Sequence, residues 1–188
     1  MARVDEILEF WFGAGDDPQR ERRWFVADPT FDQACTAGFL ADHERADAGA
    51  LDAWAEHPHG ALALILLFDQ FPRNIFRGTA RAFATDRKAR ALAKDAVARG
   101  FDRALTSVER AFVYLPFEHS ENLDDQRESV RLFRQLAAEH PSLGGYVQYA
   151  EHHCEVIRRF GRFPHRNAIL GRVSTPDELQ SIEGGAST

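Results

Sequence analysis

The sequence predicts an all-α protein, and three observations carry that expectation. Apolar residues return at helical spacing in one segment after another. Those segments tend to open on Asp, Thr or Ser with Pro or Glu close behind and to close on Gly, which are helix start and stop signals. No run between turn signals alternates with a sustained period of two, so no strand is expected. The full expectation is one helical domain over residues 1–188, with roughly eight to ten helices and short connections. Alanine-rich antiparallel hairpins of this length are the units of helical solenoids, although no strict internal repeat is visible.

The elements follow in order. "VDEILEFWFG" sets Val4, Ile7, Leu8 and Trp11 at helical spacing and ends on a glycine suited to a C-cap. "DPTFDQACTAGFLADHERADAG" opens with Asp-Pro and carries Phe31, Cys35, Phe39 and Leu40 on one face. "HPHGALALILLFDQF" is apolar all round for two turns, which predicts a central helix buried on most sides. That helix is expected to end at Phe71-Pro72, where proline removes an amide and pushes its predecessor out of the α region.

"TDRKARALAKDAVARGFD" reads as a helix capped by Asp86 and closed by Gly100. "LTSVERAFVYLPFEHSE" starts with a Thr106/Glu109 capping box and is expected to break at Pro116. "NLDDQRESVRLFRQLAAEHP" places Leu123, Val130, Phe133, Leu136 and Ala137 along one stripe. "GGYVQYAEHHCEVIRRFG" is a further helix closed by Gly161, and "STPDEL" starts a last short one with Pro176 at its first position. Phe10, Trp11, Phe12, Trp24, Phe25 and Trp54 fall at or near helical spacing and are expected in the core.

Composition narrows the function classes. The chain has 188 residues, 44% hydrophobic and 28% charged, the profile of an ordinary globular domain. A net charge of −6 argues against nonspecific nucleic-acid binding, which depends on clustered Lys and Arg. The longest apolar run, Ala61 to Phe68, is too short to span a bilayer, and no basic-apolar-small leader pattern opens the chain. Cys35 and Cys154 stand far apart without a CxxC spacing, so two free thiols in a reduced, cytoplasmic protein are expected.

The motifs "ILEFWFG", "RRWF", "DQFPRNIFRGTARAFATD", "LPFEHSE", "QRESVRLF" and "RFGRFPHRNAILGR" with the following Ser-Thr occur in this order. Together they resemble a large, mostly bacterial family known as domain of unknown function 924. The resemblance runs from about Ile7 to the helix after Thr175. It implies an all-helical fold similar to tetratricopeptide-repeat (TPR) proteins, and it implies no activity, cofactor or catalytic residue.

Charge is unevenly distributed. Arg73, Arg77 and Arg81 stand between Gln70 and Thr85 with no acid, and Arg158, Arg159, Arg162, Arg166 and Arg172 stand with His165 between Val156 and Arg172. Glu118 to Glu128 holds Glu118, Glu121, Asp124, Asp125 and Glu128 against Arg127 alone. One reading is mutual neutralisation, with arginine forks clamping Glu118, Glu121 or Asp69 while Asn74 and Asn167 cap backbone groups. Another is an anion pocket at the two Phe-Pro-(His)-Arg-Asn segments, with Arg73, Asn74, Arg77, Arg162, His165, Arg166 and Asn167 holding a carboxylate or phosphate.

"PFEHSE" raises catalysis, because His119 beside Glu118 and Glu121 has the composition of a general base oriented by a carboxylate. "EHHCE" is rich in metal-ligand types, yet His152 and His153 diverge by about 100° on a helix and neither has a His four residues away. One of them could face His119 in a His-His-Glu site, but no metal ligand set is assigned and no cofactor is expected. Two classes therefore stand: a binding module for an anionic small molecule or a peptide carboxylate, and a hydrolase-like enzyme using His119 with Glu118 or Glu121. Binding is preferred by analogy, because TPR-like folds are usually scaffolds. Oligomeric state is not legible.

Overall fold

The computed structural model describes residues 2–13 and 20–183. Among them are nine α-helices, five short 3-10 turns and no strand, so the all-α expectation holds. The helices are α1 Ala2–Phe12, α2 Arg20–Phe25, α3 Pro29–Asp47, α4 Pro58–Ile75, α5 Asp86–Ala98, α6 Ser107–Glu118, α7 Leu123–Glu139, α8 Gly144–Phe160 and α9 Pro176–Glu183. No helix among the described residues is long and apolar enough to cross a membrane. The chain divides into two compact units, Met1–Arg77 with Arg81–Val113, and Gly78–Ala80 with Tyr114–Thr188.

In the N-terminal unit α4 is the centre. Every residue from Gly60 to Pro72 is buried, as an all-round apolar helix requires. On α3, Asp32, Phe39 and His43 meet Arg77, Phe71 and Leu67 in turn, and this descending order makes the two helices antiparallel. On α5, Asp86 meets Arg73 and Lys88 lies over Phe68, which makes α5 antiparallel to α4 as well. Phe10, Trp11, Phe12, Trp24, Phe31, Phe39, Phe71 and Phe112 join by ring contacts into one aromatic cluster.

Two of the aromatics expected in the core differ. Phe25 is 61% exposed, because six-residue α2 turns Trp24 toward Phe112 and leaves its neighbour about 100° away. Trp54 is half-buried in the 3-10 turn Asp52–Glu56 rather than packed in a helix.

The expected helix end at Pro72 is not there: α4 runs through it to Ile75. Pro72 has no N–H to give the carbonyl of Phe68, and the Thr85 hydroxyl donates to that oxygen at 2.7 Å instead. Neighbouring carbonyls are served in the same way. His43 Nδ1 lies 2.9 Å from Leu67 O, Arg73 Nη1 donates to Asp69 O, and Asn74 Nδ2 donates to Gln70 O at 3.1 Å. Helix α6 likewise continues through Pro116 to Glu118.

The start and stop signals mostly hold. The Asp28 carboxylate caps α3 with Pro29 at its first position, and Thr106 and Glu109 bond reciprocally at the start of α6. Gly100 and Gly161 both take the left-handed conformation at φ 71° and 69°. Asp86 does not cap α5. Thr85 holds that position but makes no cap bond, since its hydroxyl is spent on Phe68 and the Asp86 carboxylate on Arg73.

In the C-terminal unit α7 and α8 form an antiparallel hairpin, with Arg134 bonded to Glu151 and Phe133 stacked on Tyr146 at 5.5 Å. Leu123 and Phe160 pack on a small core of Val156, Ile157 and Phe163. The chain then makes a 3-10 turn at Pro164–Arg166 and starts α9 through a Thr175/Glu178 capping box.

Two stability predictions follow from α4. Thr85→Val keeps the side-chain shape but strands a buried carbonyl, so unfolding free energy should fall by about 1–3 kcal/mol in urea titrations. Gly60→Ala replaces a poor helix former with the best one, yet the added Cβ would lie 2.1 Å from the backbone oxygen of Trp54. It should therefore destabilise by about 1–3 kcal/mol or more instead of gaining about 1 kcal/mol.

Candidate functional site

The two Phe-Pro-Arg-Asn segments have different surroundings. In the first, Arg73 makes a two-pronged bond to Asp86 at 3.0 and 3.1 Å and lies 3.2 Å from Asp69. Burial pulls the Arg73 pKa down, but the charges of Asp69 and Asp86 outweigh it and leave it raised. Arg77 holds Asp32 with two bonds at 2.6 and 2.8 Å and donates to Asn74 Oδ1 at 3.0 Å. The forks expected to grip a ligand at this segment close on the protein's own acids.

The second segment follows the same pattern in part. Arg162 grips Glu178 at 2.6 and 2.8 Å, and Asn167 Nδ2 donates to Ser174 Oγ and to Glu178. The Arg162 bonds, with help from Thr175, hold the Glu178 carboxyl down to about 2. Arg172 takes both oxygens of Glu121 at 2.7 and 2.9 Å, and Glu121 also accepts from the Phe163 N–H at 2.8 Å. Burial pushes the Glu121 pKa up, but Arg172 and the Phe163 amide bring it below the ordinary value.

A further group of polar side chains gathers around the fully buried ring of Phe163. The Arg166 guanidinium lies 4.4 Å from the ring centroid, and the rings of His153 and His165 lie 5.3 and 5.6 Å from it. Arg166 Nη1 donates to the His119 carbonyl at 3.1 Å, which brings the start of the α6–α7 turn to the same place. Glu118, only 3% exposed, sets its Oε1 2.8 Å from Nδ1 of His153. The approach is close but off the direction of a hydrogen bond. Glu118 Oε2 and both ring nitrogens of His153 have no hydrogen-bond partner among the described residues. Burial pushes the His165 pKa down to about 4, with Arg166, His153 and His119 pushing the same way and Glu121 opposing.

A family model described as a bacterial protein of unknown function, DUF924, matches residues 7–186. The chain belongs to the DUF924 family. The solved structure of a protein of unknown function from Agrobacterium tumefaciens is similar at 43% identity, covering 98% of each chain with a TM-score of 0.88. A search of curated proteins returns no match.

Within this DUF924 chain the structure rearranges the expected roles. His165 and Arg166 come together with His119 and Glu118. Arg73 and Arg77 are held in the N-terminal unit, while Arg162 and Asn167 are tied to α9. The carboxylate beside an imidazole is Glu118 with His153, not with His119, and Glu121 belongs to Arg172. His153, one of the two adjacent histidines of α8, is the one that faces inward. Its signal was its place on the inward stripe of α8, with Ala150 and Ile157 one turn to either side. No group of His, Cys, Asp and Glu side chains among the described residues is arranged to hold a metal ion. Cys35 is buried with its thiol pushed up to about 12, chiefly by burial, and Cys154 is half-buried; neither is in a disulfide.

The N-terminal unit also has a groove of about 370 Å³ floored by Leu64, Phe68 and Leu92 with Asp52 and Lys88 at its edge. The Lys88 ammonium is already bonded to Asp47.

His165 sets a pH dependence. Between its ordinary value of 6.5 and about 4, the unfolded chain takes up a proton that the folded chain refuses. Stability is then whole above that window and falls as pH drops through it. His165→Gln should flatten this slope, which urea midpoints at about pH 7.5 and about pH 4.5 will show.

Proposed function

We propose that the chain is a helical binding module whose site is the polar cluster around Phe163, and that it holds an anionic small molecule or a peptide carboxylate there. The observation that carries this reading is the convergence of Arg166, His153 and His165 on one buried ring beside partnerless atoms of Glu118 and His153. Buried polar groups cost free energy when unmatched, and convergent ones are the usual furniture of a ligand site. An anion is favoured because the Arg166 guanidinium lies at this ring.

The scaffold fits a TPR-like arrangement, supported by the antiparallel pairs α3–α4, α4–α5 and α7–α8. A single domain over 1–188 is supported by the family model that runs from residue 7 to 186. A cytoplasmic location and the absence of a nucleic-acid partner fit the free thiols and the net charge of −6.

In this reading Arg166, His165 and Asn167 belong to the site or its wall, whereas Arg73, Asn74, Arg77 and Arg162 hold the fold. Thermal-shift measurements with inorganic phosphate, acetate, citrate and a tripeptide with a free C-terminus test it. A probe at a hundred times its dissociation constant stabilises by about 2.7 kcal/mol, several degrees for a chain of this size. The shift should vanish in Arg166→Met and persist in Arg73→Ala, whose own melting point is lower because Asp69 and Asp86 lose their partner. A shift that survives Arg166→Met would place the ligand elsewhere.

A second reading rests on Glu118 beside His153. A carboxylate at one ring nitrogen orients the other as a general base, so hydrolysis would use His153 where the sequence pointed to His119. In that case, hydrolysis of ester substrates should be lost in His153→Gln and kept in His119→Gln.

A further inference from the structure

We infer that the groove of the N-terminal unit is a ligand site, and that it takes a small amine with an apolar body of one ring or a short alkyl chain. At about 370 Å³ the groove lies at the small end of ligand pockets, which run from about 300 to about 1,000 Å³. Leu64 and Phe68 stand one turn apart on α4, hence on one face, and form its floor with Leu92 of α5. The 3-10 turn Asp52–Glu56 contributes Asp52 and Ala55 to its wall.

Two close approaches fix that wall. Gly60 of α4 lets the Trp54 carbonyl come so near that an added Cβ would lie 2.1 Å from its oxygen, which seats the turn directly on the helix. The Asp52 carboxylate lies over Gly49, where an added Cβ would meet Oδ2 at 3.3 Å. A wall held this way is preformed, so binding has little left to order. The two charged residues at the edge select the occupant. Lys88 is cancelled, because its ammonium donates to the Asp47 carboxylate at 2.5 Å and to the Asp47 carbonyl at 2.6 Å. The Asp52 carboxylate has no cation and no hydrogen-bond donor among the described residues. One uncompensated negative charge therefore stands beside an apolar floor, and an apolar body that carries an ammonium complements both.

The test is a titration of the whole chain, followed by backbone amide chemical shifts, with three molecules of one shape: phenethylamine, phenethyl alcohol and phenylacetate. Phenethylamine should bind about two- to fivefold tighter than the alcohol, the range open to a solvent-exposed ion pair, and phenylacetate should bind weakest. The margin of the amine should shrink on raising salt from about 20 mM to about 500 mM. Shifts should centre on Leu64, Phe68 and Ala91. Asp52→Asn alters an exposed side chain, so the fold stays intact while the amine loses its margin over the alcohol. Ala91→Leu, on the exposed side of α5, should fill the groove and weaken all three.

Binding of none of the three, or shifts centred elsewhere, would overturn the site itself. Equal affinities for amine and alcohol, or tightest binding of phenylacetate, would overturn the assignment of an amine. A preference that persists unchanged in Asp52→Asn would overturn it too, since another group would then be the one that discriminates. The Phe163 cluster belongs to the other unit, so failure at the groove leaves the binding reading above untouched.

Discussion

A helix buried on every side cannot send its backbone to water, and that constraint shapes the N-terminal unit. Helix α4 is apolar and enclosed from Gly60 to Pro72, yet it contains a residue that removes one of its own hydrogen bonds. In a surface helix the orphaned carbonyl would find water; here it has to find a side chain. Thr85 supplies the hydroxyl, and His43, Arg73 and Asn74 serve the carbonyls on either side. Thr85 stands next to α5 and His43 on α3, so the repair of one backbone defect also pins both neighbouring helices at fixed register.

The C-terminal unit handles the same short string by different means. Phe163-Pro164 lies outside any α-helix, in a 3-10 turn after the left-handed Gly161. The buried backbone of Phe163 is clamped by one ion pair: its N–H donates to Glu121, and its carbonyl, which also takes the Arg166 amide, accepts from Arg172, the partner of Glu121. The Arg-Asn that follows Phe-Pro serves backbone and acids within α4, whereas after Pro164 it reaches the His119 carbonyl and α9. The two strings look alike because both follow a missing amide with donors.

What the sequence disclosed divides along physical lines. Short-range chemistry was legible: the Asp28-Pro29 start, the Thr106/Glu109 box and the Gly100 and Gly161 stops all involve residues within a turn of each other. Pro72 was misjudged because the donor that rescues it, Thr85, lies thirteen positions away and a hydroxyl among many gives no signal. The arginine-acid economy was legible as a tendency and illegible as a pairing. Arg73 does meet Asp69 and Glu121 is indeed clamped, but the remaining partners, Asp32, Asp86 and Glu178, are brought in by tertiary packing. Glu118 with His153 was hidden for the same reason, since the pair joins the end of α6 to the middle of α8.

The pairing pattern also decides where charge is cancelled. Arg73, Arg77, Arg162 and Arg172 each face a carboxylate, and such pairs contribute little net potential a few ångströms away. Beside Phe163, His165 is held neutral by burial, with the Arg166 charge adding to the effect. An anion bound there would reverse part of that push and raise the His165 pKa. By linkage the same coupling must work in the other direction, so protonation of His165 would strengthen the anion's binding. Affinity would then grow as pH falls toward the His165 pKa of the complex, while the stability of the free protein declines over the same range. A site with these opposed slopes would bind best where the fold is weakening, and bound ligand would offset part of the acid sensitivity that His165 introduces.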